Sequence, residues 1–156
     1  MSMLSMAKAE QILATGVAGT TEMSISVNIA VMDAGVNLKA FACRDEALFG
    51  SMDVEMGKAR TLAFFQNLED RFDFSKPGGT SFGLEDSNGW LVGFAGGRPL
   101  IIDGDVVGSV GVSGGSVVQD DAITRAAAVA LGAVRWRPSP RRSMARSVRS
   151  TSRFGT

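Results

Sequence analysis

Ser113, Gly114, Gly115 and Ser116 form a step at which a glycine-punctuated apolar run must leave a strand and start a helix. A step of this kind aims backbone N–H groups from a positive helix end, so these four residues could receive a carboxylate or a phosphate. The same residues would serve equally as a tight turn followed by an N-cap. Asp120 and Asp121, one turn later, oppose a strongly anionic ligand, which favours a monocarboxylate over a polyphosphate. A second feature is the Gly96-Gly97-Arg98-Pro99 corner. Its arginine offers a planar bidentate fork for a carboxylate, and its glycines let a ligand or a neighbouring backbone approach. Arg44, Asp45, Lys58, Glu85, Ser87 and Asn88 complete the polar inventory, with Glu85 as the candidate general base and Arg98 as its substrate-holding partner.

That role falls to a carboxylate because the chain has no histidine and no tyrosine. Ser-His-Asp and Cys-His catalysis, His-ligated zinc, and His- or Tyr-ligated haem are thereby excluded, and no metal-ligand spacing stands out. A haem iron could still meet Cys43, one of eight methionines, Lys58 or a hydroxyl. Met52 and Met56, at helical spacing, read as core filler, and Cys43, inside a strand, reads as a small buried hydrophobe. Haem is disfavoured on these grounds.

The elements that must position these residues belong to one domain. At 156 residues, 45% hydrophobic and 21% charged, the chain suits a single core. Its net charge of +0 conceals two parts. Residues 1–134 carry 9 Lys or Arg against 16 Asp or Glu, giving −7, while residues 135–156 carry 7 Arg and no acid, giving +7. The Arg/Ser-rich tail reads as a flexible end rather than a nucleic-acid arm, because the acidic body would repel phosphate. One cysteine and no leader-like N-terminus point to a reducing, cytoplasmic setting, and no apolar run is long enough for a membrane helix.

Ser5 can cap a helix whose apolar positions repeat at three and four residues, ending near Gly16 to Gly19. Residues 24–32 alternate, with Ile25, Val27, Ile29 and Val31 on one side, and a turn at residues 33–37 returns the chain as a second strand over residues 38–44. Ser51 opens a second helix with Asp53 and Glu55 near its start and a stripe of Met52, Met56, Ala59 and Ala63; Lys58 and Arg60 fall outside that stripe. Residues 67–81 read as a loop. Residues 91–94, 98–102 and 106–113 make three more short strands, the last two joined at Asp103-Gly104-Asp105. Ser116 caps a final helix that Pro138 must end. The order implies an α+β fold, a five-stranded antiparallel sheet with flanking helices.

Several runs carry a family resemblance: Val31-Met32-Asp33-Ala34-Gly35, Gly50-Ser51 followed by Lys58-Ala59-Arg60-Thr61, Ser87-Asn88-Gly89, and Phe94 through Leu100. The most specific is Gly108-Ser109-Val110-Gly111-Val112-Ser113-Gly114-Gly115 with Gln119-Asp120 after it. Over residues 5–133 the chain resembles the GlcG/HbpS family of haem-degrading-type domains. The resemblance implies a profilin-like or PAS-like layer fold, assembly into dimers, hexamers or octamers, and a cleft near the glycine blocks. Members bind haem, accompany corrinoid or diol metabolism, or sit in catabolic operons. The expectation is therefore an oligomeric binding protein for a small organic acid or tetrapyrrole-like ligand. The competing expectation is a cofactor-free lyase or hydrolase on a small aromatic or hydroxy acid.

Overall fold

A computed structural model describes residues 3–66 and 75–132; the basic tail, Pro138 and most of the loop at 67–81 lie outside the described residues. Three α-helices and four strands alternate as α1 (Met6–Glu22), β1 (Asn28–Asp33), β2 (Leu38–Cys43), α2 (Ser51–Phe65), β3 (Gly97–Ile102), β4 (Asp105–Ser113) and α3 (Val117–Val129), with a short 3-10 turn at Leu84–Asp86 before β3. The strands form one antiparallel sheet in the order β2-β1-β4-β3.

Local chemistry starts and stops most of these elements. Ser5 Oγ accepts the Lys8 N–H at the head of α1, and Ser116 Oγ accepts the Gln119 N–H at the head of α3, where the Gln119 side chain returns a bond to the Ser116 N–H. Asp103 and Gly104 both take positive φ, 51° and 88°, which is the two-residue hairpin geometry whose twist matches that of β3 and β4. Helix α1 does not stop at Gly16. It continues to Glu22, and Gly16 instead lets the helix lie close on β1, where an added Cβ would come within 3.0 Å of Ile29 Cδ1.

The sheet has four strands rather than the five expected. Leu91 and Val92 are buried, which accounts for their strand-like apolar pattern, but their N–H groups are engaged elsewhere. Trp90 adopts φ 94°, the Leu91 N–H donates to Glu85 O at 2.9 Å, and the Val92 N–H donates to Thr61 Oγ1 at 2.9 Å. A segment whose donors are held by a turn and a helix side chain has none left for a ladder.

The two faces of the sheet are chemically unlike. One carries Ile29, Val31, Leu100, Val110 and Val112 against Ala9 and Ile12 of α1 and Ile123 and Ala127 of α3, an ordinary apolar core. The other carries Asn28, Ala30, Ser109, Gly111 and Ser113, in register across β1 and β4, and is covered by α2. Gly111 sets that approach, because a Cβ there would collide with the backbone carbonyl of Glu55 and come within 2.8 Å of Ala59 N.

Gly111→Val therefore forces α2 off the sheet. Overpacking of this kind should lower stability by about 3 kcal/mol, read as a shift of the urea midpoint; an unchanged midpoint would contradict the packing described.

Candidate functional site

Helix α2 turns an unusual stripe toward the sheet. Ser51, Glu55, Lys58 and Leu62 follow one another at four, three and four residues, and all are buried. Met52 and Met56, expected in the core stripe, are only partly buried, while Lys58, expected outside it, is 0% exposed. Its ammonium donates to Asp120 Oδ2 at 2.9 Å and to Val112 O at 2.8 Å, and it lies 4.7 Å from the centroid of the Phe94 ring. Burial pulls the Lys58 pKa below its usual value, opposed by its hydrogen bond and charge interaction with Asp120. Gly96 makes room for this contact: at φ 111°, a Cβ would lie 2.6 Å from Lys58 Nζ and 2.9 Å from Val112 O.

Glu55, one turn earlier, is 0% exposed, and neither carboxylate oxygen has a partner. Desolvation pushes its pKa up to about 8, opposed by the dipole of its own backbone N–H and by Lys58, with Asp53 adding to the rise. The carboxyl is therefore neutral through most of the physiological range. Asn28 Oδ1 and Ser109 Oγ, on the sheet face under α2, are also buried without partners. The polar content of this interface was hidden in the sequence, since nothing in the spacing of Glu55 or Lys58 distinguishes a buried charge from a solvated one.

The glycine step is folded inward. The Gly115 N–H donates to Asp120 Oδ1 at 3.0 Å and the Ser116 N–H donates to Gln119 Oε1 at 2.9 Å, so the chain's own acceptors occupy both donors. Gly114 packs against Ser26 O and Ser51 Oγ, and Ser113 is buried opposite Asn28. Gly97 lies under the Lys58 carbonyl. Lys58, Gly96, Gly97, Ser113, Gly114, Gly115 and Ser116 thus share one end of the molecule, organised around Asp120. Arg98 is on the opposite face of β3, with its guanidinium 2.9 Å from Asp121 Oδ1, and Asp121 also holds Arg125 at 2.7 Å. Glu85, Ser87 and Asn88 belong to the turn packed on α2, where Asn88 O accepts from Arg60 at 2.9 Å.

Arg44 and Asp45 lie in the connection from β2 to α2. Residues 43–49 bound a groove of about 460 Å³. Arg44 reaches Thr21 Oγ1 at 3.5 Å, and Cys43, expected to be buried, is exposed as the last residue of β2. Leu48 and Phe49 are 67% and 92% exposed. The connection is nevertheless well anchored. Leu48 O accepts from Ser51 N at 3.0 Å, Ser51 Oγ at 2.6 Å and Asn28 Nδ2 at 3.3 Å. Asn28 Nδ2 also reaches Ser51 Oγ at 2.9 Å, tying the groove to the sheet beside Gly114. Sequence reasoning passed over Leu48 and Phe49; two large apolar residues between a charged loop and a helix start were the available signal.

Residues 4–129 match the protein family described as haem degrading protein, HbpS-like. The chain belongs to this HbpS-like family. A 15.0 kDa protein encoded between dhaT and dhaS in Citrobacter freundii is 34% identical over 119 residues, covering 75% of this chain and 84% of the relative. The fold superimposes on protein ORFY of Klebsiella pneumoniae with a TM-score of 0.80 at 30% identity, covering 86% of this chain and 94% of that one. A PduOC:heme complex gives a TM-score of 0.78 at 30% identity, covering 83% and 95%. Among the described residues no helix is long and apolar enough to cross a membrane, and no three His, Cys, Asp or Glu side chains group as a metal site.

Two outcomes follow from the α2 stripe. Because the Glu55 pKa is raised on folding, the folded chain holds a proton there that the unfolded chain gives up above pH 4.5. Stability should therefore fall as pH rises from about 4.5 to 8, by a total on the order of 4 kcal/mol for this group. Glu55→Gln should match the parent near pH 5 and exceed it at pH 8.5 in paired urea titrations; parallel curves would refute the assignment. Lys58→Met, which strands Asp120 without its cation, should cost about 3–5 kcal/mol in the same assay at pH 7.

Proposed function

We propose that this HbpS-like chain is a small-molecule-binding protein whose groove at residues 43–49 takes a carboxylated organic ligand. The reading rests on Arg44, a guanidinium in the wall of a groove whose other contributors include Leu48 and Phe49. A groove of about 460 Å³ falls within the span common for small-molecule sites. Arg44 supplies a bidentate partner for a carboxylate, and the apolar side chains suit an aromatic or aliphatic body. The glycine step is folded inward, with the Gly115 and Ser116 N–H groups taken by Asp120 and Gln119, so it does not present an open anion receptor. The competing reading is a lyase or hydrolase with Glu85 as base and Arg98 as carboxylate holder; in this structure the Arg98 guanidinium is engaged by Asp121.

Haem is the tetrapyrrole version of the same reading, favoured by the relative solved as a heme complex. Lys58 is unsuited to an iron, because its amine is buried and committed to Asp120 and Val112 O. Cys43 is the thiol in the groove wall that could face an iron, and Arg44 the cation for a propionate. We further propose that the protein functions as a homo-oligomer.

Titration calorimetry of the full chain with an aromatic acid, a hydroxy acid and haem tests the proposal. Saturable binding of at least one is expected, with Arg44→Gln weakening it about 10- to 100-fold. For haem, a Soret shift that changes in Cys43→Ser is expected. Absence of saturation with all three, or indifference to Arg44→Gln, would remove the groove as the site.

A further inference from the structure

The Asn28 amide is oriented by what it donates. Its Nδ2 gives hydrogen bonds to Ser51 Oγ at 2.9 Å and to Leu48 O at 3.3 Å, which leaves Oδ1, on the other side of the amide, buried and without a partner. Ser51 Oγ in turn donates to Leu48 O at 2.6 Å. Both side chains therefore spend their donors on one carbonyl of the segment that bounds the groove. Glu55 follows Ser51 by one helical turn on the same buried stripe of α2, and helical side chains lean towards the N-terminus, so its carboxyl leans back towards the Asn28–Ser51 contact. Neither of its oxygens has a partner.

A neutral carboxyl and a carboxylate ask opposite things of this neighbourhood. The neutral form carries an O–H donor, matched in kind to the free Asn28 Oδ1. The ionised form only accepts, and a buried carboxylate without donors is costly. Lys58, the cation on the stripe, is already committed to Asp120 Oδ2 and Val112 O. Asp53, on α2 itself, is an acid and disfavours a second negative charge. The strand residues under the helix, Asn28, Ala30, Ser109, Gly111 and Ser113, carry no charge, and Arg98 is on the opposite face of β3 against Asp121. The turn with Glu85 and Asp86 packs on another side of α2, at Gly57, Arg60 and Thr61, and Arg44, Asp45 and Glu46 precede the helix in the connection itself. The side-chain donors left for an ionised Glu55 are Asn28 Nδ2 and Ser51 Oγ, the two groups that hold Leu48 O.

We infer that Glu55 is a proton switch for the groove: with its carboxyl neutral, Asn28 and Ser51 hold Leu48 O and the segment at residues 43–49 is ordered; with its carboxyl ionised, their donors turn to the carboxylate and the segment is released. The inference deepens the groove reading above by naming what regulates that site. Order in the segment is linked to the neutral form, so it is present below the folded pKa and lost as pH rises through about 8. By the same linkage, a ligand that needs the ordered groove binds more weakly above that pH.

Hydrogen exchange of the full chain, read by mass spectrometry and corrected for the intrinsic rate at each pH, tests this without a ligand. Between pH 6.5 and 9 the peptide covering residues 44–52 is expected to lose about 2- to 10-fold in protection, the worth of one hydrogen bond, while peptides from β4 and α3 keep theirs. Glu55→Gln, isosteric with the neutral acid, should stay protected at both pH values. Asp53→Asn, at an exposed position, removes the acid that favours the proton and should move the midpoint to lower pH at low salt. Equal protection of the parent peptide at both pH values, the same loss in Glu55→Gln, an unmoved midpoint in Asp53→Asn, or a loss shared by β4 overturns the switch and leaves the groove reading standing. Failure of the ligand titrations removes the groove as a binding site without touching the exchange result.

Discussion

The ion pair between Lys58 and Asp120 joins two layers that the sheet otherwise separates. Lys58 comes from α2 on one face, Asp120 from the first turn of α3 on the other, and they meet around the end of β4 with Val112 O as third partner. Neither charge is accessible to water, at 0% and 3% side-chain exposure, so each is tolerable only while the other is present. Much of the surrounding geometry serves that condition. Gly96 has no Cβ where the ammonium must pass, Gly115 donates to the second Asp120 oxygen, and the capping box at Ser116 and Gln119 fixes the first turn of α3. Glycine density in this region thus reflects close packing around a buried charge pair.

That arrangement determines where the polar chemistry can go. Donors that would greet a ligand at a free helix start are used internally, and the unpartnered carboxyl of Glu55 is sealed under α2. The accessible charged groups at this end lie instead in the segment between β2 and α2. Its position is set by Asn28, whose side chain faces α2 because β1 alternates, and which ties the segment's carbonyl to the sheet. The groove is therefore a consequence of the sheet's polar face, one side chain removed.

Features governed by neighbours in sequence were legible. The Ser5 and Ser116 caps, the Asp103-Gly104 turn, the alternation that separates Ile29 and Val31 from Asn28 and Ala30, and the antiparallel α+β class all follow from local patterns. Features governed by distant partners were not. Lys58 reads as a solvated helix residue until Asp120, sixty-two positions later, is beside it. Glu55 reads as a charge favourable to a helix start until the Ala30 and Gly111 surface closes over it. Leu91 and Val92 have the apolar content of a strand, and only the destination of their N–H groups shows that they are not one. Of the expected site residues, Lys58 and the glycine blocks share one end of the molecule, Arg44 lies in the adjoining groove, and Arg98 and Glu85 go elsewhere.

Family membership fixes the scaffold more firmly than the ligand. The superposition on a heme complex covers nearly all of that relative, yet the iron ligand in any such protein is a particular side chain, and this chain has neither histidine nor tyrosine to offer. A thiol at the end of β2 and an arginine one residue later are what it presents, next to two apolar side chains held out on a rigid turn. A carboxylate needs only the arginine and the apolar wall; a tetrapyrrole needs an iron ligand as well. The choice between these ligands therefore turns on whether Cys43, which lines the same groove as Arg44, is engaged as well.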